Sequence, residues 1–229
     1  IDNDVYNNDL YYPDINDIDF RKKLTNLYEY YIHLIPKFSK IKSIDDFNSN
    51  VLKMCGEFEK TFYQHFVSHY ISIRTPYKNL LLYHGVGVGK TCSAITISEN
   101  LLISHSQFDK PKIWVIMPSS LRQSFKEQIF SLSNYDNLKL LANQCTGDTY
   151  IKLAQLLKKT DKSNAILKIK KIINSRYRLF TYDEFAKMIE NEYNNKKVED
   201  KIIIIDEAHN IRNSTKTEDK RIYSAISNA

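Results

Sequence analysis

Glycine, cysteine and long apolar runs are scarce in this sequence. These scarcities bear on left-handed backbone, on disulfide or zinc frameworks and on membrane spans. Five glycines in 229 residues leave few positions for left-handed backbone. No apolar run approaches the ~18 residues that cross a bilayer, so we expect no membrane span. The first twenty residues carry six aspartates and no basic residue, the reverse of a secretory signal peptide. Because the chain starts at Ile1 rather than Met, we expect a fragment or a processed product.

Cysteine spacing and charge distribution narrow the class of protein further. Cys55, Cys92 and Cys145 lie far apart and form no CxxC pair. This spacing argues against a zinc site or a disulfide framework and favours a reducing compartment. The net charge is +6, and residues 21–229 carry +12 because the first twenty residues carry −6. A basic body of this kind fits a polyanionic partner.

The hydrophobic pattern divides the chain into three zones. Residues 1–20 are acidic and rich in Asn and Tyr, which predicts a tail or an arm packed on another surface. Residues 21–75 predict a helical N-terminal extension, because apolar residues recur at helical spacing in FRKKLTNLYEYYIHLI and FEKTFYQHFVSHYI. In residues 76–229, short apolar runs alternate with helix-like segments, which predicts one α/β domain.

Four apolar runs predict a parallel sheet flanked by helices. They are NLLLYHG (79–85), KIWVIMP (112–118), YRLFTY (177–182) and KIIIIDE (201–207). Each is almost continuously apolar, as a strand buried on both faces of a sheet should be. The segments between them have helical periodicity, which indicates right-handed βαβ crossovers. The lysine-rich segment 145–176 predicts helix with a loop near Thr160–Asn164.

A glycine-rich loop follows the first predicted strand and precedes a predicted helix. Backbone N–H groups that converge at a helix N-terminus hold a phosphate well, and glycine permits the necessary dihedral angles. Lys90 would reach the β- and γ-phosphates, and the Thr91 hydroxyl would bind Mg²⁺. The template G-x-x-x-x-G-K-[ST] fails only at its first position, His84; a chance GKT tripeptide is the alternative. The predicted loop residues are Gly85, Val86, Gly87, Val88, Gly89, Lys90 and Thr91.

The isoleucine run ends in an acidic pair, Asp206 and Glu207. In an open parallel sheet, ligands gather at the carboxyl ends of the strands. Asp206 would hold Mg²⁺, directly or through water, and Glu207 would polarise the attacking water in phosphoryl transfer. The alternative is an acidic turn in which Asp206 or Asn210 caps a helix. Together the two motifs predict an ATP site with Lys90, Asp206 and Glu207 as its catalytic residues.

The tetrad that starts at Asp206 reads DEAH, and with the glycine loop it resembles the first RecA-like domain of superfamily 2 helicases and translocases. TPYKNLLLYHGVGVGKTCSAI, MPSSLRQSF and DEAHNIRN are similar to segments of helicase-type ATPases of large DNA viruses, including the poxvirus early transcription factor ATPase subunit and nucleoside triphosphatase I. The resemblance covers about residues 57–213. It implies a DNA- or RNA-dependent ATPase of viral transcription, with replication or genome packaging as the alternative processes. It also implies other transcription or replication subunits as partners. It places the protein in the cytoplasmic viral factory or the virion, with the nucleus as an alternative.

The resemblance assigns roles outside the two nucleotide motifs. Gln64 stands 26 residues before Lys90, where the superfamily often places an adenine-reading glutamine; an exposed helical glutamine is the alternative. Ser119 and Ser120 match motif Ia, which contacts the nucleic-acid backbone, and Arg122 would assist. A helix N-cap at either serine is the alternative, and it is compatible with phosphate contact.

Three further assignments are less specific. Thr181 matches a segment that lines the same nucleic-acid track, or it caps a helix that starts near Asp183. His209 links the ATP site to motif III in the family, or it is a buried histidine bonded to a carbonyl group. A lysine-rich run is either a solvated helical face or a surface beside the nucleic acid. Its members are Lys152, Lys158, Lys159, Lys162, Lys168, Lys170 and Lys171.

Two departures from the family pattern bear on activity. The Ser/Thr-Ala-Thr segment of motif III does not appear before Ala229, and we expect that this chain lacks the second RecA-like domain with its arginine finger. Arginine fingers are worth ~10³–10⁵ in rate, so we expect the isolated chain to bind nucleotide better than it hydrolyses it. Rival functions are a non-translocating nucleoprotein scaffold or virion subunit, and a P-loop enzyme for a small metabolite. The DEAH tetrad and the basic body argue against the last.

Overall fold

The computed structural model describes residues 11–34, 43–48, 61–83, 85, 87, 89–104, 112–131, 145–157, 162–193, 198, 201–211 and 222–224. Within it the chain forms two compact units, residues 1–101 and 102–229.

The first unit is built from helices. They are α1 (Phe20–Asn26), α2 (Tyr28–Tyr31), α3 (Phe62–Tyr70) and most of α4 (Lys90–Ser104), and residues 44–48 are also helical. The helix predicted to start at Phe20 is broken at Leu27, whose ψ of 136° is extended. Buried Leu24, Tyr30 and Val67 form the core of this unit with Ile71, Tyr77 and Ile97.

Residues 11–20 pack against the helices of the first unit. The Tyr77 hydroxyl donates to the Pro13 carbonyl oxygen at 2.7 Å, and the Tyr12 hydroxyl donates to the Glu29 carboxylate at 2.8 Å. Burial, together with the neighbouring Glu29 carboxylate, raises the pKa of Tyr12, so its hydroxyl keeps the proton that it donates. The described half of the acidic segment is therefore a packed arm, and residues 1–10 lie outside the described residues.

The strand predicted at 79–85 is absent from residues 79–83 and Gly85, so that prediction is wrong there. Leu81 is 79% exposed and Tyr83 is 92% exposed, whereas Leu82 packs against the core of the first unit. A strand needs a neighbour to pair its backbone groups, and the sheet of the described residues contains only three other strands. His84 lies outside the described residues.

The second unit confirms the predicted α/β fold. Its parallel sheet has the order β2-β1-β3, with β1 (Lys112–Ile116), β2 (Tyr177–Phe180) and β3 (Lys201–Ile205). The helices are α5 (Arg122–Ile129), α6 (Thr149–Leu157), α7 (Lys162–Arg176) and α8 (Tyr182–Glu192), with 3-10 turns at Ser119–Leu121 and Ala208–Asn210. The predicted loop near Thr160–Asn164 ends earlier than expected, because α7 already starts at Lys162. No helix in the described ranges is long and apolar enough to cross a membrane.

Alternation along β1 supplies the core on which α8 packs. Trp114 and Ile116 project to the same face because they are two residues apart, and they contact Phe185 and Ile189 of α8. The Trp114 ring lies edge-to-face with the Phe185 ring at a centroid distance of 6.1 Å. Helix α7 also contacts β1 and β2. This packing fixes α8 beside the carboxyl ends of the strands.

The prediction that the cysteines form no disulfide is wrong for two of them. Cys92 and Cys145 are each disulfide-bonded, and both are buried. Disulfide formation depends on the distance and direction of the two Cβ atoms in the folded chain, so spacing along the sequence alone was a poor guide. Cys55 lies outside the described residues.

Truncation of Phe185 should destabilise the second unit strongly. We expect Phe185→Ala to lower the free energy of unfolding by about 3–5 kcal/mol, because the substitution leaves a cavity between α8 and β1. Urea unfolding followed by the fluorescence of Trp114, the single tryptophan, would measure it. Leu167→Ala, on the exposed side of α7, is the control and should change stability by less than ~0.5 kcal/mol. Equal losses in the two variants would contradict the packing described.

Candidate nucleotide site and nucleic-acid track

The glycine loop leads into the N-terminus of α4. Gly87 and Gly89 have φ values of +81° and +80°, a region that glycine enters at little cost. Helix α4 starts at Lys90 and runs for 15 residues, so its dipole favours an anion at the loop. Val86 and Val88 lie outside the described residues. The described glycines and the helix have the local structure that a phosphate site needs.

The Lys90 side chain folds back over this loop. Its Nζ donates to the carbonyl oxygen of Gly85 at 2.8 Å. One turn into α4, the Ser93 backbone N–H and hydroxyl both donate to the Gly89 carbonyl oxygen, at 2.9 and 3.1 Å. The ammonium group is therefore held at the loop, where a bound phosphate would need it. Thr91, next in the chain, is half-buried.

Gln64 contacts the same loop from α3. Its side chain is only 4% exposed, so the alternative of an exposed helical glutamine is wrong. The Oε1 atom accepts from the Thr61 backbone N–H at 2.8 Å, which completes a capping box at the start of α3. The Nε2 atom donates to the Gly89 carbonyl oxygen at a long 3.4 Å. Gln64 thus joins the start of α3 to the end of the glycine loop.

Gly89 and Gly85 should differ sharply in their tolerance of alanine. A Cβ at Gly89 would lie 2.8 Å from Gln64 Nε2, and its φ of +80° is strained for any L-residue. We expect Gly89→Ala to cost ~1–2 kcal/mol of stability from the backbone alone. Gly85→Ala is the matched control, because nothing lies within 4 Å of its Cβ position and its φ is not positive. Thermal unfolding would compare them, and equal stabilities would contradict the loop geometry.

In the second unit, Asp206 and Glu207 follow β3 directly. The Asp206 backbone N–H donates to the Ile116 carbonyl oxygen at 2.9 Å, which extends the pairing of β3 with β1 by one bond. The Asp206 Oδ1 atom accepts from the Glu207 backbone N–H at 3.0 Å. A 3-10 turn, Ala208–Asn210, follows with no side-chain capping bond. Within residues 201–211 neither Asp206 nor Asn210 caps a helix, and a helix that Asn210 would cap falls outside the described residues.

Glu207 has left-handed backbone, with φ 55° and ψ 46°. Such a conformation costs a non-glycine residue ~1–2 kcal/mol, and contacts must compensate for it. The Glu207 carbonyl oxygen accepts from the Asn210 backbone N–H at 2.9 Å and from Asn210 Nδ2 at 3.1 Å. His209 Nδ1 lies 3.2 Å from Glu207 Oε2, and the His209 side chain is 73% exposed. The alternative of a buried histidine is therefore wrong.

Tyr182, which the sequence analysis did not single out, contacts both acidic residues. Its hydroxyl donates to the carbonyl oxygens of Asp206 and Glu207, the latter at 3.0 Å. Burial raises the pKa of Tyr182, so the hydroxyl remains a donor at neutral pH. The only sequence signal was its place directly after Thr181 in the predicted strand YRLFTY.

Thr181, at the end of β2, caps α8. Its Oγ1 accepts from the Glu184 backbone N–H at 3.2 Å, and the Glu184 carboxylate accepts from the Thr181 backbone N–H at 2.7 Å. This is the capping role that the sequence analysis gave as the alternative, in a helix that starts at Tyr182. After β1, Ser119 and Ser120 are exposed, and the N-cap of α5 is Leu121, with no side-chain capping bond. The serine hydroxyls therefore do not act as caps.

Arg122 forms an ion pair with Glu184, so the two predicted track residues Arg122 and Thr181 meet through one carboxylate. Arg122 is 30% exposed, and among the described residues its Nε has no hydrogen-bond partner. Sequence reasoning missed Glu184, although the T-x-x-E spacing is a known capping signal. The structure thus places a cationic group and a cap at the carboxyl ends of β1 and β2.

Glu184 should make stability depend on pH at the acid end. The Thr181 backbone N–H, and then Arg122, hold the pKa of Glu184 below its usual 4.5. The ionised Glu184 carboxylate contributes to the free energy of unfolding above pH ~4.5. This contribution is lost as the pH falls through the lowered pKa of Glu184. Glu184→Gln keeps the capping box but not the charge, so we expect ~0.5 kcal/mol less stability at pH 7 and a weaker acid dependence.

Urea unfolding between pH 3 and pH 7 would test this expectation. Glu192→Gln is the control, because it removes a carboxylate of similar exposure from the same helix. An identical pH profile for wild type and Glu184→Gln would contradict the assigned contacts.

Comparison with known proteins places this architecture in a family. Residues 50–228 match the SNF2-related domain. The protein provisionally named ATP-dependent RNA helicase R563 of Acanthamoeba polyphaga mimivirus is 31% identical over 213 residues, covering 89% of this chain and 33% of the relative. Its provisionally named counterpart L377 is 30% identical over 200 residues, covering 84% and 16%.

A further relative, provisionally named helicase 087L, comes from Invertebrate iridescent virus 3. It is 27% identical over 215 residues, covering 88% of this chain and 21% of the relative. The chain spans a third or less of the length of these three relatives. No solved structure matches it. The chain has a glycine loop and, after β3, the turn Asp206–Asn210, which we call the DEAH turn. With a match over most of its length, the chain belongs to the SNF2-related domain family.

Proposed function

We propose that this chain binds Mg-ATP and, within the complete gene product, couples ATP hydrolysis to movement along nucleic acid. One observation carries the proposal: Lys90 is held on a glycine loop at the N-terminus of α4, in a chain where DEAH directly follows β3. Membership of the SNF2-related family supports the same conclusion. A P-loop enzyme for a small metabolite would share the glycine loop but not the DEAH tetrad or the SNF2-related match.

The donor chemistry of both motifs fits a magnesium nucleotide. The loop N–H groups and the Lys90 ammonium would hold the phosphates. Thr91 and Asp206 offer the one or two protein oxygens that Mg²⁺ takes beside phosphate oxygens. When bound, the ion supplies neutralisation of phosphate charge. Among the described residues, no group of three or more His, Cys, Asp or Glu is arranged to hold a metal ion.

Glu207 is the proposed base, and it would accept a proton from the attacking water at its carboxylate. Its left-handed backbone turns the residue out of the line of β3, and His209 lies beside its Oε2. We propose that His209 orients this carboxylate and so links the ATP site to its surroundings. Gln64 is the proposed adenine contact, because it already lies on the loop with a donor and an acceptor in one amide.

The proposed nucleic-acid track is Ser119, Ser120, Arg122 and Thr181, with Arg122 providing the cation for a phosphate oxygen. Helix α7 adds a basic face, because it contains no acidic residue and its lysines Lys162, Lys168, Lys170 and Lys171 are exposed. Lys152 is paired with Asp148 at 3.4 Å and is a weaker candidate. Lys158 and Lys159 lie outside the described residues. DNA and RNA backbones both satisfy these contacts.

Finer assignments rest on the sequence resemblance. They are a DEAH-type first RecA-like domain, a role in viral transcription with other transcription or replication subunits, and a place in the cytoplasmic viral factory or virion. By the same resemblance, a second RecA-like domain would supply the arginine finger. The isolated chain should then bind ATP but turn it over slowly.

Removal of the Lys90 ammonium should greatly slow ATP hydrolysis. We expect Lys90→Ala to lower ATP turnover by the complete gene product by about 10²–10³-fold, because the phosphates lose a charge-stabilising donor. ATP binding to the 229-residue chain, measured by calorimetry, should weaken as well. Lys78→Ala, an exposed lysine of the same unit, is the matched control and should bind as wild type does. Unchanged turnover in Lys90→Ala would refute the proposed site.

The effect of added nucleic acid on ATP turnover by the complete gene product distinguishes a translocase from a non-translocating scaffold. A translocase hydrolyses ATP faster when DNA or RNA is added, whereas a virion or nucleoprotein scaffold does not. Turnover that stays flat with both polymers would favour the scaffold.

A further inference from the structure

Tyr182 occupies a junction between the two functional parts of the second unit. It is the first residue of α8, directly after Thr181 of the proposed track. Its hydroxyl donates to the carbonyl oxygens of Asp206 and Glu207. One side chain therefore connects the start of α8 to the backbone of both acidic residues.

The first turn of α8 also carries the contact with Arg122. Glu184 accepts from the Thr181 backbone N–H and pairs with Arg122, so Thr181 and Glu184 form one hydrogen-bonded cap. A phosphate on the Arg122 guanidinium or the Thr181 hydroxyl would compete with these bonds and alter the cap. Tyr182 lies between Thr181 and Glu184 in sequence, so it must follow any shift of this turn.

The Glu207 backbone, which accepts the hydrogen bond from Tyr182, depends on its surrounding contacts. Left-handed backbone at Glu207 persists only where surrounding contacts hold it, and the Tyr182 hydroxyl is one of three donors on its carbonyl oxygen. The Tyr182 ring packs against the core around Trp114, which limits its freedom to rotate away. A shift of the α8 turn would therefore reach the Glu207 backbone rather than dissipate in a mobile side chain.

We propose that Tyr182 is a positioning residue that transmits occupancy of the track at Arg122 and Thr181 to the Glu207 carboxylate. The inference rests on the proposed function, since it assumes that nucleic acid binds this track and that Glu207 acts on water. It explains how nucleic acid could stimulate ATP hydrolysis through contacts inside the second unit alone. These contacts are the hydrogen bonds from Tyr182 to the Asp206 and Glu207 carbonyl oxygens.

Replacement by phenylalanine removes only the hydroxyl. In the complete gene product, Tyr182→Phe should lower the nucleic-acid-stimulated kcat about tenfold. The dissociation constant for ATP should stay within about twofold, because the ring and the glycine loop are intact. Tyr193→Phe is the matched control, since Tyr193 packs on the same Trp114 core from the end of the same helix. It should behave as wild type.

Hydrogen exchange provides a readout that does not need activity. The Asn210 and Ile211 backbone N–H groups are bonded within the DEAH turn. In the 229-residue chain they should exchange about fivefold faster in Tyr182→Phe than in Tyr193→Phe. In wild type, but not in Tyr182→Phe, added nucleic acid should change their exchange.

Two results would overturn the inference. One is equal stimulated kcat and equal exchange in Tyr182→Phe and Tyr193→Phe. The other is a loss of thermal stability in Tyr182→Phe with stimulated turnover unchanged, which would make the hydroxyl purely structural. If wild type hydrolyses no ATP, the proposed function fails instead, and the exchange with and without nucleic acid decides the inference separately.

Discussion

Parallel pairing of β1 with both of its neighbours is the constraint on which the second unit depends. Ile116 is in register with Phe180 on one side and with Ile205 on the other, so the three strands end at one level. The residues directly beyond them, including Thr181 and Asp206, must therefore emerge along one edge. A one-residue slip of either pairing would turn alternate side chains to the opposite face and move this set apart.

Left-handed backbone occurs at both segments of the proposed nucleotide site, but different residue types adopt it in the two places. Gly87 and Gly89 adopt positive φ in the loop without steric cost. Glu207 adopts it with a full side chain, and hydrogen bonds from Tyr182 and Asn210 to its carbonyl oxygen offset the cost. In the proposed function the loop would need backbone that wraps closely around phosphate, whereas the turn after β3 would need the Glu207 carboxylate held in one direction by its backbone. Glycine would serve the first purpose and defeat the second.

Helical periodicity and continuous apolar runs in the sequence were sufficient to predict several helices and strands. Helix α4 and strands β1, β2 and β3 were predicted because their periodicity or continuous apolar character is unambiguous. Segment 79–83 has the same apolar character and failed as a strand, because strand formation depends on a neighbour that no local pattern reveals. For the same reason the sequence left open whether Gln64 is buried and did not indicate the contacts of the Tyr182 hydroxyl, since both join segments distant in sequence.

The buried amide of Gln64 makes two hydrogen bonds of different strength in the first unit, one at the start of α3 and one to the glycine loop. Its short bond from the Thr61 N–H holds the start of α3, whereas its 3.4 Å bond to the Gly89 carbonyl oxygen is weak and easily exchanged. If adenine binds here, as proposed, Nε2 is the atom that can change partners without uncapping α3. The Gly89 carbonyl oxygen would then keep its bonds from Ser93. The long bond is therefore the one that nucleotide binding would break, and the short one would keep the amide in place.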